Sequence, residues 1–333
     1  MAARSGDNDT RIPVTVVTGY LGSGKTTLLN GILSQVDARR FAIIVNEFGD
    51  IGIDGDLIDT GDEQIIELSS GCICCVVRGD LIRGLRALLT EMPGLDGIII
   101  ETTGLANPSP VIQTLVIDQV IGAQCRLDSV VCVVDAINIC NQLAGGRDAA
   151  DQIAFSDCIV LNKIDDAAGP ATEIESWLRE LNPYASIIRA NRSDVPAGAI
   201  LNRHGFDLEC VEAQLATRPE TRNHDHIEND GITSVSLTSN APLDAVALES
   251  WLQQLLARHG VDILRTKGVL SIHGEDRKLV LQAVNMMLEG DYVGLWESDA
   301  RESRLVFIGR NLNPGDLNAG FQRCRSNMPA YTE

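Results

Sequence analysis

Six short apolar runs punctuate the first part of the chain, at residues 12–18, 41–46, 97–101, 129–135, 157–162 and 186–190. They are rich in Val and Ile and are not interrupted by regularly spaced polar residues. Each therefore predicts a strand covered on both faces, as in a mostly parallel sheet. Between them, longer stretches predict helices at 25–35, 79–91, 108–119 and 171–181, the last ended by Asn182 and Pro183. Strand and helix in alternation predict a doubly wound α/β domain with a mostly parallel sheet.

From about residue 202 to 230 no period is sustained, and the polar stretch Thr217-Arg-Pro-Glu-Thr-Arg-Asn-His-Asp-His226 reads as linker. Beyond it, 232–237 predicts a strand, 243–258 a helix, and 268–273, 278–286 and 305–309 further β or mixed segments. The expected organisation is a disordered tail at 1–10, an α/β domain at 11–201, a linker at 202–230 and a smaller C-terminal α+β domain at 231–326.

Composition then removes several function classes. Lys and Arg total 27 against 46 Asp and Glu, a net charge of −19 that argues against nucleic acid as a general partner. The six Phe, three Trp and four Tyr are scattered, with no basic stripe around them to make a base-stacking platform. No apolar run approaches the roughly 18 residues a bilayer span needs, and the polar first ten residues lack the apolar centre of a secretory signal. A cytoplasmic protein is expected. Nine cysteines, three of them crowded at 72, 74 and 75, make a poor disulfide framework, so reduced thiols are expected.

Candidate chemistry begins where the first strand meets the first helix. Gly19-Tyr-Leu-Gly-Ser-Gly24-Lys25-Thr26 fits G-x-x-x-x-G-K-[ST]. Gly19, Gly22, Ser23 and Gly24 let backbone amides curl around phosphate oxygens, and the helix N terminus adds a positive dipole. Lys25 supplies a point charge and Thr26 a hydroxyl for Mg2+, with Thr27 completing the loop's contacts. The implied ligand is a nucleoside triphosphate. In Gly97-Ile-Ile-Ile-Glu-Thr-Thr-Gly104, Glu101 stands at a strand end where it can hold Mg2+ directly or through water, and the Gly104 amide can meet the γ-phosphate. Asn162-Lys163-Ile164-Asp165 suits guanine. The Asp165 carboxylate can accept from N1–H and the 2-amino group together, Asn162 can brace the loop or reach the base, and the stem of Lys163 can cover the ring. A second base-contacting loop is expected after 186–190, where Arg189-Ala190-Asn191 is no decisive signature.

Gly71-Cys72-Ile73-Cys74-Cys75 departs from a generic nucleotide hydrolase. Thiolates at Cys72, Cys74 and Cys75 can converge on one soft or borderline cation and leave a fourth position open. A redox disulfide, a nucleophilic thiol and small buried side chains are the alternatives. Adjacent cysteines would make a strained disulfide, and no His signature of thiol catalysis accompanies them. The motif lies between Thr26 and Glu101 in the chain, so a γ-phosphate that orders this interval would assemble the cysteines and hydrolysis would loosen them. Glu47 can be a fourth metal ligand, a group that positions the attacking water, or a solvated loop acid. Asp50 is a second candidate for the water, and Asp54 lies in the same interval. His224 and His226 read either as an auxiliary metal-holding segment or as exposed linker. Because thiolates must be deprotonated to bind, metal affinity is expected to fall on acidification.

Taken together, these residues resemble the CobW-type family of metal-handling P-loop GTPases, relatives of the nickel-insertion GTPases of hydrogenase and urease maturation. The resemblance rests on GYLGSGKTT at 19–27, VNEFGDIGID at 45–54, GCICC at 71–75, ETTGLANP at 101–108, DQIAFSD at 151–157 and NKID at 162–165. Arg265-Thr-Lys-Gly268 also looks like that family's C-terminal module. Membership implies a P-loop NTPase fold and hydrolysis of GTP with Mg2+. It also implies delivery of Zn2+ or Co2+ to a client metalloprotein or metal-cofactor pathway. Ser70, Thr103 and Ser156 stand where relatives often carry Asn, Ser and Ala, and none of these changes removes a proposed ligand. The long His-rich tract of some members is absent, which speaks against storage. A metal buffer or sensor with little turnover, a nickel-insertion GTPase and a P-loop kinase are the rival readings, the last disfavoured by NKID.

Overall fold

The computed structural model describes residues 9–36, 40–48, 64–70, 75–216, 231–298 and 300–326. They form two compact bodies. One comprises the described residues up to Gly205 without Arg179–Tyr184, and the other comprises those from Phe206 onward together with Arg179–Tyr184.

Along the first part of the chain run β1 (Ile12–Thr18), α1 (Lys25–Leu33), β2 (Phe41–Phe48), β3 (Gln64–Ser70), α2 (Cys75–Glu91), β4 (Gly97–Thr102), α3 (Ser109–Ile117) and α4 (Gln119–Gln124). They are followed by β5 (Cys125–Asp135), α5 (Ile139–Ala144), α6 (Arg147–Phe155), β6 (Cys158–Asn162), α7 (Ala171–Leu181) and β7 (Ser186–Arg189). The seven strands are all parallel, in the order β3-β2-β4-β1-β5-β6-β7. The chain moves outward in opposite directions from β1, which makes the carboxyl end of β1 the switch point where open α/β sheets take ligands. Val17, Ile32, Ile43, Ile99, Val133 and Val160 are wholly buried between sheet and helix. Burying such a side chain stabilises the fold by about 1.5–3 kcal/mol.

Several elements depart from the sequence expectation. β3 was not expected, because as an edge strand it has one neighbour, and its run Gln-Ile-Ile-Glu-Leu-Ser-Ser mixes polar with apolar residues. The expected helix at 79–91 begins earlier, at Cys75. The expected helix at 108–119 divides at Asp118, whose extended backbone ends α3 and whose carboxylate accepts from the N–H groups of Val120 and Ile121 to cap α4. The buried face of α6 relies on Ala149, Ala150 and Ala154, too weakly apolar to mark a helix in the pattern.

Residues 203–205, expected in the linker, are tied into the first body by Asp128. The pairing of β1 with β5 skips Asp128, since Val14 faces Leu127 and Thr15 faces Ser129. Its wholly buried carboxylate accepts from the N–H groups of Arg203 and His204, both at 3.0 Å.

The second body contains α8 (Leu208–Ala216), β8 (Ile232–Ser239), α9 (Ala245–His259), β9 (Ile263–Leu270), β10 (Arg277–Val284), β11 (Met287–Leu295), β12 (Ser303–Arg310) and α10 (Pro314–Arg323). Its sheet is antiparallel in the order β11-β10-β9-β12-β8. One core joins Leu252 of α9 and Phe321 of α10 to Ile263, Leu281 and Phe307, with Trp251 edge-on to Phe307 at 6.0 Å. A separate cluster packs Val211 and Leu215 of α8 against Val269, Val280 and Val306. Leu208, Val211 and Leu215 recur at i, i+3 and i+7, but over only nine residues next to a polar stretch, so α8 was passed over and occupies part of the expected linker. The expected segment at 278–286 is the first arm of a hairpin, turned at Asn285 with φ 51° and lacking the glycine that would have marked it. Arg265, singled out in the sequence, is buried with its guanidinium 4.3 Å from the centre of the Phe206 ring, a packing role.

Cys125, Cys132, Cys140, Cys158, Cys210 and Cys324 are free thiols. Burial pushes Cys125 to about 11 and Cys132 to about 12, which keeps both protonated and inert. Among the described residues no helix is long and apolar enough to cross a membrane.

Candidate functional site

The loop from Gly19 to Gly24 leaves the carboxyl end of β1 and enters α1 through Gly24, whose φ of 106° lies in the left-handed region. A Cβ at Gly24 would stand 2.5 Å from Asn162 Nδ2 and 2.7 Å from Ser193 Oγ. Three separate segments meet at this point. Asn162 Nδ2 donates to the Ser23 carbonyl at 2.9 Å, while Asn162 Oδ1 accepts from Ser193 N at 2.8 Å. Ser193 Oγ donates to the Gly24 carbonyl at 2.9 Å. Asn162 is 2% exposed, so of its two expected roles the geometry supports bracing the loop.

Lys25 is buried at the start of α1, and its ammonium donates to the carbonyls of Gly19 and Tyr20 at 2.9 and 3.4 Å. The cation is thereby held over the loop that would surround phosphates. Thr26 follows it, half-buried, and Thr27 is exposed. Glu101 is buried near the end of β4, beside Val17 of β1, and one residue on Thr102 Oγ1 donates to Thr18 Oγ1 at 2.9 Å. A Cβ at Gly104 would stand 2.6 Å from Leu21 N, so only glycine lets this loop lie against the phosphate loop.

A cleft of about 660 Å³ opens beside the loop, lined by Gly22, Gly24, Thr27, Asn162, Lys163, Asp165, Asp166, Asn191 and Arg192. Its volume lies within the range of sites for ligands of nucleotide size. Lys163, with φ 62°, donates to the Gly22 carbonyl at 2.7 Å and to Asp135 Oδ2 at 2.8 Å. Asp165 N donates to Asn191 Oδ1 at 3.0 Å, which brings the loop after β7 into the cleft as expected. Sequence reasoning missed Asp135, the residue that holds the Lys163 ammonium. Burial pushes the Asp135 carboxyl up, but the hydrogen bonds from Lys163, Asn138 and Ile137 N outweigh this and hold it below the usual aspartate range. The only signal was an acid at a strand end, which alone is ordinary.

Of the expected metal residues, Cys72 and Cys74 lie outside the described residues, as do Asp50, Asp54, His224 and His226. Cys75 is the first residue of α2, and Glu47 lies on β2 with its backbone opposite Ser69 of β3; their side chains lie outside the described set. Among the described residues, no group of three or more His, Cys, Asp or Glu is arranged to hold a metal ion.

The model of the CobW/HypB/UreG nucleotide-binding domain matches residues 13–189, and that of the cobalamin synthesis protein CobW C-terminal domain matches residues 232–325. The chain is 34% identical over 318 residues to the zinc chaperone YjiA of Escherichia coli (strain K12), a match covering 94% of this chain and 99% of the relative. It is 34% identical over 345 residues to the zinc chaperone CobW of Pseudomonas aeruginosa, covering 91% of this chain and 88% of that one. The crystal structure of Zn(II)-bound YjiA GTPase from E. coli matches with a TM-score of 0.78 at 30% identity, covering 95% of this chain and 99% of that one. A Zn(II)-bound triple variant of YjiA, with one Glu and two Cys replaced by Ala, matches with a TM-score of 0.79. By its nucleotide-binding domain and its C-terminal domain together, the chain belongs to the CobW/HypB/UreG family of P-loop GTPases.

Proposed function

We propose that the chain is a GTP-hydrolysing metallochaperone. In its GTP-bound form it grips a transition metal through Cys72, Cys74 and Cys75, and it passes the ion to a client metalloprotein or a metal-cofactor pathway. Zn2+ is the first candidate, supported by relatives named as zinc chaperones, and Co2+ the second. One observation carries the reading. At the carboxyl edge of a single parallel sheet, β1 ends in the phosphate loop, β4 at Glu101 and Thr102, and β6 at Asn162. At the same edge β2 ends at Phe48 and β3 at Ser70, one residue before the Gly71-Cys-Ile-Cys-Cys75 motif. The motif thus follows a strand of the same sheet whose carboxyl edge carries the phosphate loop, which supports coupling between the γ-phosphate and the metal site.

In this account the loop amides and Lys25 stabilise charge on the β- and γ-phosphates, and hydrolysis is chiefly positioning and electrostatic stabilisation. Thr26 and Glu101 offer the hard oxygen donors that Mg2+ requires. Held there, Mg2+ would screen the negative charge of the phosphates. Asp165 selects guanine, while Asn162 and Asp135 hold the loop and Lys163 in place. Glu47 is the candidate to orient the attacking water or to complete the metal site. The thiolates of the motif are suited to a borderline cation.

Nucleotide choice tests the reading first. Two charge-assisted hydrogen bonds to guanine, each worth about 1.5–3 kcal/mol, should favour GTP over ATP by at least ~100-fold. Competition binding and phosphate release with both nucleotides measure this. Equal preference, or turnover of ATP alone, would revive the small-molecule kinase.

A further inference from the structure

Among the motifs carrying the family resemblance, DQIAFSD at 151–157 has no part in the function argued above. Asp151 and Gln152 lie on α6, and both are buried, with Gln152 1% exposed. The side-chain amide of Gln152 donates to the carbonyl of Gly104 and to that of Ala106, both at 3.2 Å. Asp151 Oδ2 accepts from Asn107 Nδ2 at 3.4 Å, and Asn107 Oδ1 accepts from Ser109 N at 2.8 Å, closing the turn into α3. Adjacent residues of one helix thus hold successive points of the loop that follows β4.

We infer that Gln152 is a positioning residue for GTP hydrolysis: its buried amide fixes the Gly104–Leu105 peptide and the Ala106 carbonyl, and so fixes the loop proposed to meet the γ-phosphate. This rests on the functional reading given above. The loop is confined on its other side, where Gly104 lies against the backbone of Leu21 in the phosphate loop. The helix that confines it is itself well anchored. Ala149, Ala150, Ile153, Ala154 and Phe155 are all buried, and α6 runs through Ser156 into Asp157, whose Oδ2 accepts from Val130 N at 3.1 Å. Two N–H donors on one planar amide engage two carbonyls, the bond to Gly104 buried and the bond to Ala106 partly buried, so a flip of the Gly104–Leu105 peptide would break a bond made away from solvent. Gln152 acts through this loop and needs no contact with the nucleotide.

The test uses the full-length chain with Gln152→Met, which keeps the length of the side chain and removes both donors. Hydrogen exchange of residues 104–107 in the GDP-bound protein should quicken at least ~10-fold, with α1 unchanged. In steady-state assays kcat for GTP should fall roughly 10- to 30-fold, while KM and GDP affinity stay within about twofold. Asn107→Asp, which keeps the oxygen that accepts from Ser109 and loses the donor facing Asp151, should move exchange and kcat the same way and carries the test if the first variant does not fold. Unchanged exchange, or faster exchange with wild-type kcat, overturns the inference. A wild-type chain without GTPase activity would overturn both the functional reading and a positioning role in hydrolysis, whereas a wild-type GTPase indifferent to Gln152→Met would overturn this inference alone.

Discussion

Replacing Cys72, Cys74 and Cys75 together by alanine is expected to weaken Zn2+ binding by the GTP-bound chain at least ~10,000-fold. Structural zinc sites with four protein ligands contribute about 10–16 kcal/mol, and this variant loses three thiolates from one ion. The phosphate loop, Glu101 and Asn162–Asp165 are motifs separate in the sequence from the substituted residues, and GTP affinity without metal should stay within about threefold. Zinc should be measured against a competing chelator. A YjiA variant with a glutamate and two cysteines replaced by alanine is Zn(II)-bound in its crystal, so chelator competition is needed to separate a tight site from any other. A dissociation constant within tenfold of wild type would remove the cysteines from the metal site.

The second large effect belongs to Lys25. Lys25→Ala is expected to slow GTP hydrolysis by about 100- to 1,000-fold, because a preorganised cation aimed at developing phosphate charge contributes on the order of 2.7–4 kcal/mol to the transition state. The same ammonium donates to the Gly19 and Tyr20 carbonyls, so the variant also loses a brace of the loop and should bind GTP less tightly than GDP relative to wild type. Single-turnover phosphate release at saturating GTP isolates the chemical step. A rate within tenfold of wild type would place the catalytic cation elsewhere.

The parts of this molecule written in contiguous residues were legible before any coordinates. The phosphate loop, Glu101 with Gly104, and Asn162 with Asp165 each pair a short motif with an apolar strand, and six of the seven parallel strands announced themselves as uninterrupted apolar runs. What the sequence did not disclose depends on partners distant along the chain. Asp135 takes its meaning from Lys163, 28 residues on, and Gln152 from Gly104, 48 residues back. The choice between two roles for Asn162 was decided by Ser23 and Ser193, which only the fold brings to it. β3 escaped because an edge strand need not be apolar throughout, and α8 because its helical spacing, Leu208, Val211 and Leu215, spans only nine residues beside a polar stretch. Arg265, part of the resemblance to the C-terminal module that residues 232–325 match, stacks on Phe206 in the second body.

Coupling between nucleotide and metal is the claim on which the metallochaperone account turns, and a Zn2+ competition titration of the intact chain tests it most directly. One arm contains Mg2+ with a non-hydrolysable GTP analogue and the other Mg2+ with GDP. Allosteric coupling free energies of about 1–3 kcal/mol correspond to 5- to 150-fold changes in affinity, and at least tenfold tighter zinc binding is expected in the triphosphate complex. By linkage, zinc should raise affinity for the analogue over GDP by the same factor. Equal zinc dissociation constants in the two arms would contradict the account.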